Sequence, residues 1–235
     1  MNWQGKNVLV VGGTSGIGAA VVDQLLSNGC NVYNISRRVV QIEGVHHITL
    51  DITKDFKSIE GLPEELHGLV YCPGSITLKP IQSLQVSDFS NEFELNVLGA
   101  VKVIKSCLKS LKQAGSASVV LFSTVAVSQG MMYHASIASA KGAVEGLTRS
   151  LAAEMARFNI RFNAVAPSLT DTPLASGLLS NEEKRKSSDE RHPLRRIGKP
   201  EDISASVTYL LSEESSWMTG QIIHIDGGMS SIRPI

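Results

Sequence analysis

A glycine-rich segment near the start of the chain has the residue types of a phosphate-binding turn. It follows a continuous apolar run, Asn7–Val11, and precedes an amphipathic stretch that ends near Asn28. A turn between a strand and a helix lets backbone amides approach a pyrophosphate, which then lies at the positive end of the helix dipole. We therefore expect six residues of this segment to bind a dinucleotide: Gly12, Thr14, Ser15, Gly16, Ile17 and Gly18.

The end of the second predicted strand indicates which dinucleotide is bound. Its residues are Ser36, Arg37 and Arg38. A carboxylate at the Ser36 position would bind the adenosine ribose hydroxyls and repel a 2′-phosphate, whereas two guanidinium groups suit a phosphate dianion. One of the two arginines is equally compatible with a solvated loop, but the pair favours NADP(H) over NAD(H) as the cofactor.

Strand-like and helix-like patterns alternate along the chain. The predicted strands are Asn7–Val11, Asn31–Ile35, His47–Leu50, Leu69–Tyr71, Ser118–Ser123, Arg161–Val165 and Gln221–Ile225. The longest predicted helices run from caps at Ser87 and Asp88 to Gln113, and from Ser136 to Arg157. Apolar strands separated by helices are typical of a parallel sheet covered on both faces. We therefore predict an α/β fold, a doubly wound Rossmann-type parallel sheet, in a single domain over residues 1–235.

The stretch from Leu174 to Arg196 is the least regular part of the chain, and charged residues occupy its centre. We interpret it as a solvated helix. Its position between the sixth strand and the last helix is also compatible with a mobile lid over a substrate pocket.

Composition argues against several classes of partner. The 235 residues include 22 basic and 22 acidic side chains, and this zero net charge argues against nucleic acid or an anionic membrane. No apolar run approaches the roughly 18 residues needed to span a bilayer, so we expect a cytoplasmic protein with a small-molecule substrate. Three isolated cysteines and six scattered histidines suggest neither a disulfide framework nor a metal site.

Motifs along nearly the whole chain resemble those of the short-chain dehydrogenase/reductase family. Besides the glycine turn, they include Asn96, the segment after Lys141 and the stretch Thr219–Gly228. The resemblance implies that Asp51 and Ile52 contact adenine and that Lys141 binds the nicotinamide ribose. It also implies a homodimer or homotetramer, packed through the long helices and the last strand. The remaining cofactor contacts expected from the family are Cys72, Pro73, Gly74, Pro167, Thr170 and Thr172.

The resemblance also implies a chemistry, hydride transfer between nicotinamide and a carbonyl or alcohol carbon. In the family a tyrosine transfers the proton, a lysine lowers its pKa, a serine orients the oxygen, and an asparagine holds a water of the proton relay. In this chain the lysine corresponds to Lys141, the serine to Thr124 and the asparagine to Asn96. The tyrosine position, four residues before the lysine, is Ile137. Isoleucine performs no acid–base chemistry.

Tyr133 is a candidate to replace the tyrosine. On a continuous helix it would stand about 12 Å from Lys141 along the axis, so only a loop conformation would bring it inward. The alternative is that Tyr133 packs against the pocket without transferring a proton. His134 is a second candidate because histidine titrates near neutrality, but a lone histidine is more often structural.

Two further departures from the family belong together. Val11 stands where the family has a threonine, and Tyr71, Cys72, Pro73 and Gly74 stand where it has Asn-Asn-Ala-Gly. In the family these polar groups support the central sheet through hydrogen bonds. Because both hydrogen-bond partners are lost together, no polar group is left unpaired. This indicates a scaffold that is adapted, not one that is decaying.

These features predict an NADP(H)-dependent oxidoreductase with a non-standard active site, acting on an unidentified small or medium carbonyl compound or alcohol. The alternative is a dinucleotide-binding protein with little or no redox turnover, serving as a sensor or partner subunit. Retention of Asn96, Thr124 and Lys141 favours the enzyme. Ile137 favours the binding protein.

Overall fold

The core of the protein is a sheet of parallel strands. The computed structural model describes residues 3–38 and 41–232, and within them seven strands lie in the order β3-β2-β1-β4-β5-β6-β7. The order reverses between β1 and β4, and ligands of such sheets bind near this reversal, at the carboxyl ends of the strands. The strands are β1 Asn7–Val11, β2 Asn31–Ser36, β3 Val45–Thr49, β4 Gly68–Tyr71, β5 Ala117–Phe122, β6 Ile160–Pro167 and β7 Ile222–Ile225.

Helices connect the strands on both sides of the sheet. The described α-helices are α1 Gly16–Ser27, α2 Val86–Phe93, α3 Gly99–Gln113, α4 Val125–Ser128, α5 Ala135–Met155, α6 Glu182–Glu190 and α7 Pro200–Leu211. Shorter 3₁₀ turns lie at Ile81–Ser83, Ala156–Phe158, Pro173–Leu179 and Glu213–Ser215. Most boundaries agree with the sequence predictions to within about two residues.

Both faces of the sheet are covered, because successive side chains of β1 point to opposite sides. Leu9 and Val11 pack in a core cluster with side chains of α3 and α5. Val8 and Val10 pack in a second cluster with side chains of α1 and α7. This arrangement confirms the predicted α/β fold, a doubly wound Rossmann-type parallel sheet in a single domain. The termini of the predicted range, 1–235, lie outside the described residues.

The predicted start of the helix before Asn96 is wrong by a few residues. Ser87 and Asp88 were expected to cap it, but the cap is Gln85 and the helix begins at Val86. Asp88 instead lies in the first turn, where its carboxylate accepts the backbone N–H of Gln85 at 2.9 Å. The carboxylate thus satisfies a backbone donor from inside the helix, as the third residue of a capping box does.

The prediction of one continuous helix to Gln113 is also wrong. A π-helical turn at Glu94–Leu98 separates α2 from α3. In this turn the Tyr71 hydroxyl donates to the carbonyl oxygen of Leu95 at 2.6 Å, and a side chain that competes for a helix carbonyl distorts the regular ladder. Gly99 leaves room for the Tyr71 hydroxyl, since a Cβ there would lie 2.3 Å from its oxygen.

The third strand begins at Val45, two residues before its predicted start at His47, and therefore includes both His46 and His47. His46 stacks on Tyr33 of β2 with ring centroids 4.7 Å apart. His47 Nδ1 accepts from the side-chain amide of Asn34 at 3.3 Å. Both histidines therefore support β2, the strand that leads to the two arginines.

Candidate active site

A cavity of about 1370 Å³ opens at the carboxyl ends of the strands. The described residues that line it include two of the four candidate catalytic residues, Thr124 and Lys141. The other two, Asn96 and Tyr133, are not among them. All residues predicted to bind the cofactor line this cavity: Gly12, Thr14, Ser15, Gly16, Ile17, Gly18, Ser36, Arg37, Arg38, Asp51, Ile52, Cys72, Pro73, Gly74, Lys141, Pro167, Thr170 and Thr172. The structure therefore brings the glycine turn, the Arg37–Arg38 pair and Lys141 to one cavity.

The glycine turn is held by hydrogen bonds that it donates to acceptors on β2. Gly12, at φ +81°, donates its N–H to the carbonyl of Ile35 at 2.8 Å. The next N–H, that of Gly13, donates to Asn34 Oδ1 at 2.8 Å. A Cβ at Gly18 would lie 2.2 Å from the carbonyl oxygen of Gly12. Only glycine permits this close packing of helix and turn. Asn34, buried in β2, is a supporting residue that the sequence analysis missed.

The N-terminus of α1 has the features of an anion site. Ser15 precedes the helix in an extended conformation, and its hydroxyl makes no capping hydrogen bond within residues 3–38. The first turn contains no acidic side chain. The first amides of the helix and this hydroxyl therefore remain available to an anion. A Cβ at Gly16 would lie 3.2 Å from Thr172, so the segment after β6 closely approaches the turn. These residues fit a dinucleotide pyrophosphate.

The arginine end of the cavity is polar and open to solvent. Arg37 and Arg38 are exposed, and the Ser36 hydroxyl donates to the carbonyl of Arg38 at 2.6 Å. Asp51 accepts hydrogen bonds from Thr53, which hold the pKa of its carboxyl below the usual value, and the charge of Arg37 adds a smaller effect. A pair of exposed guanidinium groups beside a cavity suits a phosphate group.

Lys141 lies in α5 and reaches the opposite part of the cavity wall. Its ammonium donates to the carbonyl oxygen of Phe122, the last residue of β5, at 2.8 Å. Burial lowers the pKa of Lys141 from 10.5 to about 8, although the negative charge of Glu92 opposes the shift. Ile137 precedes Lys141 by one helical turn and lines the cavity with an apolar side chain.

Asn96 lies behind the cavity wall and is joined to a carboxylate that the sequence analysis missed. Its side-chain amide donates to Glu92 Oε2 at 3.0 Å and to the Glu92 carbonyl at 2.8 Å. Ser75 donates to the same carboxylate. A Cβ at Gly74 would lie 3.5 Å from Asn96 Oδ1 and 3.7 Å from Lys141 Nζ. The spacing of Glu92 and Asn96, one helical turn apart, was the only sequence signal for this pair.

Tyr133 and His134 occupy different environments. Tyr133 is 49% exposed and adopts a left-handed backbone conformation with φ +68°. His134 lines the cavity at the start of α5, and its Nδ1 lies 2.7 Å from the carbonyl oxygen of Met132. The loop conformation considered for Tyr133 is therefore present, but the side chain does not reach the cavity.

The segment from Leu174 to Arg196 forms a further part of the cavity wall. Its charged centre forms α6, whose side chains are mostly exposed, so the interpretation as a solvated helix is confirmed for Glu182–Glu190 only. Arg185 of α6 pairs with Asp171 at 2.7 Å, which fastens the helix to the segment after β6. Residues on the inner side of the segment line the cavity, among them Leu174, Leu178, Ser188 and His192.

Two further properties concern the described residues 3–38 and 41–232. No group of three or more His, Cys, Asp and Glu side chains there is arranged to hold a metal ion. None of the helices in these ranges combines the length and apolar character required to cross a membrane.

Comparison with known proteins gives consistent matches over nearly the whole chain. A family profile described as Enoyl-(Acyl carrier protein) reductase matches residues 11–230. A tropinone reductase homologue from Arabidopsis thaliana is 36% identical over 249 residues, covering 97% of this chain and 94% of the relative.

Solved structures show the same similarity. A short-chain type dehydrogenase/reductase from Mycobacterium ulcerans has a TM-score of 0.90 at 28% identity, covering 99% of this chain and 92% of that chain. ElxO with NADP bound has a TM-score of 0.86 at 28% identity, covering 97% of this chain and 100% of that chain. Since sequence and fold agree, the chain belongs to the short-chain dehydrogenase/reductase family of oxidoreductases.

Proposed function

We propose that the protein is a cytoplasmic NADP(H)-dependent oxidoreductase that acts on a small or medium carbonyl compound or alcohol. One observation carries the proposal, namely that a single cavity joins the N-terminus of α1, the Arg37–Arg38 pair and Lys141. The arginines follow β2 and the lysine contacts the end of β5, so the cavity extends across the centre of the sheet. This span suits a dinucleotide with a substrate at its nicotinamide end.

Each part of the cavity matches a part of NADP(H). The amides at the start of α1 bind the pyrophosphate, Arg37 and Arg38 bind the 2′-phosphate, and Asp51 and Ile52 contact the adenine. NADP bound to ElxO, a structural relative, supports the choice of cofactor. The remaining contacts, to the ribose and carboxamide of the nicotinamide half, come from Cys72, Pro73, Gly74, Lys141, Pro167, Thr170 and Thr172.

The residues near Lys141 orient the reacting groups. When bound, the reduced nicotinamide supplies a hydride to the substrate carbonyl carbon. Lys141 holds the ribose with the ammonium donors that Phe122 leaves free. Thr124 Oγ1 accepts the backbone N–H of Ala126 at 3.3 Å, so its own proton is free to donate to the substrate oxygen. Ile137, at the position of the family tyrosine, supplies an apolar contact only.

The substrate is expected to have an apolar body. Several aliphatic and thioether side chains of the cavity wall would bind apolar surface through burial. They are Ile76, Leu78, Met131, Leu174, Leu178 and Met229, and charged residues of α6, Glu183 and Lys184 among them, line the cavity as well. A flexible wall with two methionines suits substrates of varied shape.

A second candidate function, NADP(H) binding with little or no turnover, is favoured by Ile137. Such a protein would act as a sensor or as a partner subunit. Lys141 argues for the enzyme, because desolvation of an ammonium group costs free energy that a simple binding site does not require.

One experiment separates these functions. NADPH binding is measured by fluorescence titration, and oxidation of bound NADPH is then followed with a panel of ketones, diketones and aldehydes. The reverse reaction is tested with NADP and the corresponding alcohols. Binding with turnover of one substrate class supports the oxidoreductase. Tight binding without turnover across the panel supports the sensor, and failure to bind either NADPH or NADH contradicts both functions.

We also infer a homodimer or homotetramer from the exposed apolar side chains of the α2–α3 unit. Phe93 and Leu98 are each 41% exposed, and both lie near the start of α3. Light scattering coupled to size-exclusion chromatography gives the mass directly. A monomer at micromolar concentration would contradict the inference.

A further inference from the structure

A serine and a histidine form a hydrogen-bonded pair in the wall of the cavity. Ser168 directly follows β6, and His192 lies just beyond α6, 24 residues later. The distance from Ser168 Oγ to His192 Nε2 is 2.6 Å. Both residues line the cavity that also contains Lys141 and Thr124.

The sheet places this pair beside the expected reaction centre. Strands β5 and β6 are parallel neighbours, with Phe122 opposite Val165. Thr124 follows the end of β5 by two residues, and Ser168 directly follows the end of β6. Adjacent strands are about 4.8 Å apart. The Ser168 hydroxyl therefore belongs to the same edge of the sheet as Thr124.

The hydrogen bonds of His192 determine which nitrogen bears the proton in the neutral ring. His192 is 2% exposed, and its Nδ1 lies 2.7 Å from the carbonyl oxygen of Ser188. A carbonyl only accepts, so Nδ1 carries a proton. In the neutral ring Nε2 is then an acceptor, and the Ser168 hydroxyl donates to it. In the protonated ring Nε2 also carries a proton and donates to Ser168 Oγ, which frees the Ser168 proton for another acceptor.

We propose that Ser168 donates the proton to the substrate oxygen and that His192 replaces it, a role for which Ile137 has no suitable group. This relay rests on the proposed redox function. Ser168 would be the catalytic residue because its hydroxyl touches the substrate. His192 acts through Ser168 and is the relay residue behind it.

The relay balances the atoms and electrons of carbonyl reduction. The substrate carbon accepts the hydride of the reduced nicotinamide, and the π electrons of the carbonyl move to oxygen. That oxygen takes the proton of Ser168, and Ser168 Oγ takes the Nε2 proton of His192. The imidazole is left neutral, with its Nδ1–H still donated to the Ser188 carbonyl oxygen, and Nε2 regains a proton from solvent in the cavity. Alcohol oxidation follows the same steps in reverse.

The test combines a rate measurement with a spectroscopic one. Ser168→Ala should lower kcat by at least about 100-fold, the range for loss of a general acid, while the Kd for NADPH stays within about twofold. Ser168→Thr keeps a hydroxyl and should recover most of the rate. His192→Gln retains an acceptor for Ser168 but transfers no proton, so its kcat should fall in the same way with KM little changed. Matched controls are Ser139→Ala, an exposed serine of α5, and His224→Gln, an exposed histidine of β7.

Nitrogen NMR of the imidazole gives a readout that does not depend on turnover. With ¹⁵N-labelled histidine, neutral His192 should show the Nδ1–H tautomer. Ser168→Ala should shift the Nε2 resonance and leave the Nδ1–H in place, because Ser188 still accepts from it. An Nε2–H tautomer in the parent protein would overturn the relay. Full kcat in Ser168→Ala would also overturn it and leave the redox function standing, whereas NADPH binding without turnover in the parent overturns both.

Discussion

Lys141 Nζ donates a 2.8 Å hydrogen bond to the carbonyl oxygen of Phe122. This contact joins α5 to the end of β5, two residues before Thr124. One of the three ammonium donors is thereby committed to the sheet, and the other two remain for a ligand. The position of this charge in the cavity wall is thus set by the backbone of the central sheet.

The first prediction concerns this lysine. Lys141→Ala should weaken NADPH binding by about tenfold or more, because hydrogen bonds to a charged group are each worth about 1.5–3 kcal/mol. Fluorescence titration measures the change even if the protein turns over no substrate. Lys109→Ala, on the exposed side of α3, is the matched control. Unchanged affinity in the Lys141 variant would mean that the lysine has only a structural role.

The second prediction concerns cofactor choice. NADPH should bind more tightly than NADH, and Arg37→Ala should remove most of the difference, about tenfold or more for one lost charge-assisted contact. NADH affinity should hardly change, since NADH lacks the 2′-phosphate. Arg157→Ala removes a surface guanidinium that packs on Phe158 and serves as the control. Equal parent affinities for the two cofactors would refute the assignment of NADP(H).

The fold and the meeting of the glycine turn with the arginine pair at one cavity were predictable because their signals are local in sequence. The apolar runs identify the strands, and Gly12, Gly16 and Gly18 lie within one turn. Ser36, Arg37 and Arg38 follow a strand directly, so their place at the carboxyl edge is a consequence of a parallel sheet.

The contacts around the other part of the cavity were less predictable because they join distant segments. Ser168 and His192 are 24 residues apart, as are Tyr71 and the Leu95 carbonyl that it engages in the π-helical turn. Ser75 and Glu92 are 17 residues apart. No periodicity or motif encodes such pairs, and each depends on packing that exists only in the folded chain.

The third prediction concerns Glu92 and the charge of Lys141. The negative charge of Glu92 raises the pKa of Lys141, opposing the larger lowering effect of burial. Glu92→Gln removes this negative charge, so the pKa of Lys141 should fall below about 8. Titration of ¹⁵N-labelled lysine side chains by NMR gives the value. Glu94→Gln, which breaks a surface pair with Lys102, should leave it unchanged. A rise in the pKa of Lys141 in either variant would contradict the effect assigned to the charge of Glu92.

The fourth prediction concerns Tyr133. Its side chain is 49% exposed and does not line the cavity, so Tyr133→Phe should lower kcat by less than about tenfold. Tyr209→Phe removes another partly exposed hydroxyl, on α7, and provides the comparison. A fall of about 100-fold or more with intact NADPH binding would make Tyr133 the proton donor, and the segment before α5 would then have to move inward.

The fifth prediction restores an acid at the position of the family tyrosine. Ile137→Tyr places a phenol one helical turn before Lys141, whose positive charge should favour its ionised form and so lower its pKa. In the Ser168→Ala background the phenol should recover part of the lost carbonyl reduction. In the parent background the ring should instead lower activity, because it fills space that the substrate occupies and the proton is already supplied.

The matched control for this pair is Ile137→Phe, which adds nearly the same volume without a hydroxyl. Extra volume at a buried wall costs about 1–3 kcal/mol of folding stability, and this cost is common to both variants. Rates are therefore compared between Tyr and Phe at position 137, each with and without Ser168→Ala, after thermal melting shows that all four proteins are folded. A higher rate for Tyr than for Phe only in the Ser168→Ala background is the expected result. Equal rates for the two rings in both backgrounds would show that the lysine does not activate a phenol there, and a gain for Tyr in the parent background would show that Ser168 supplies no proton.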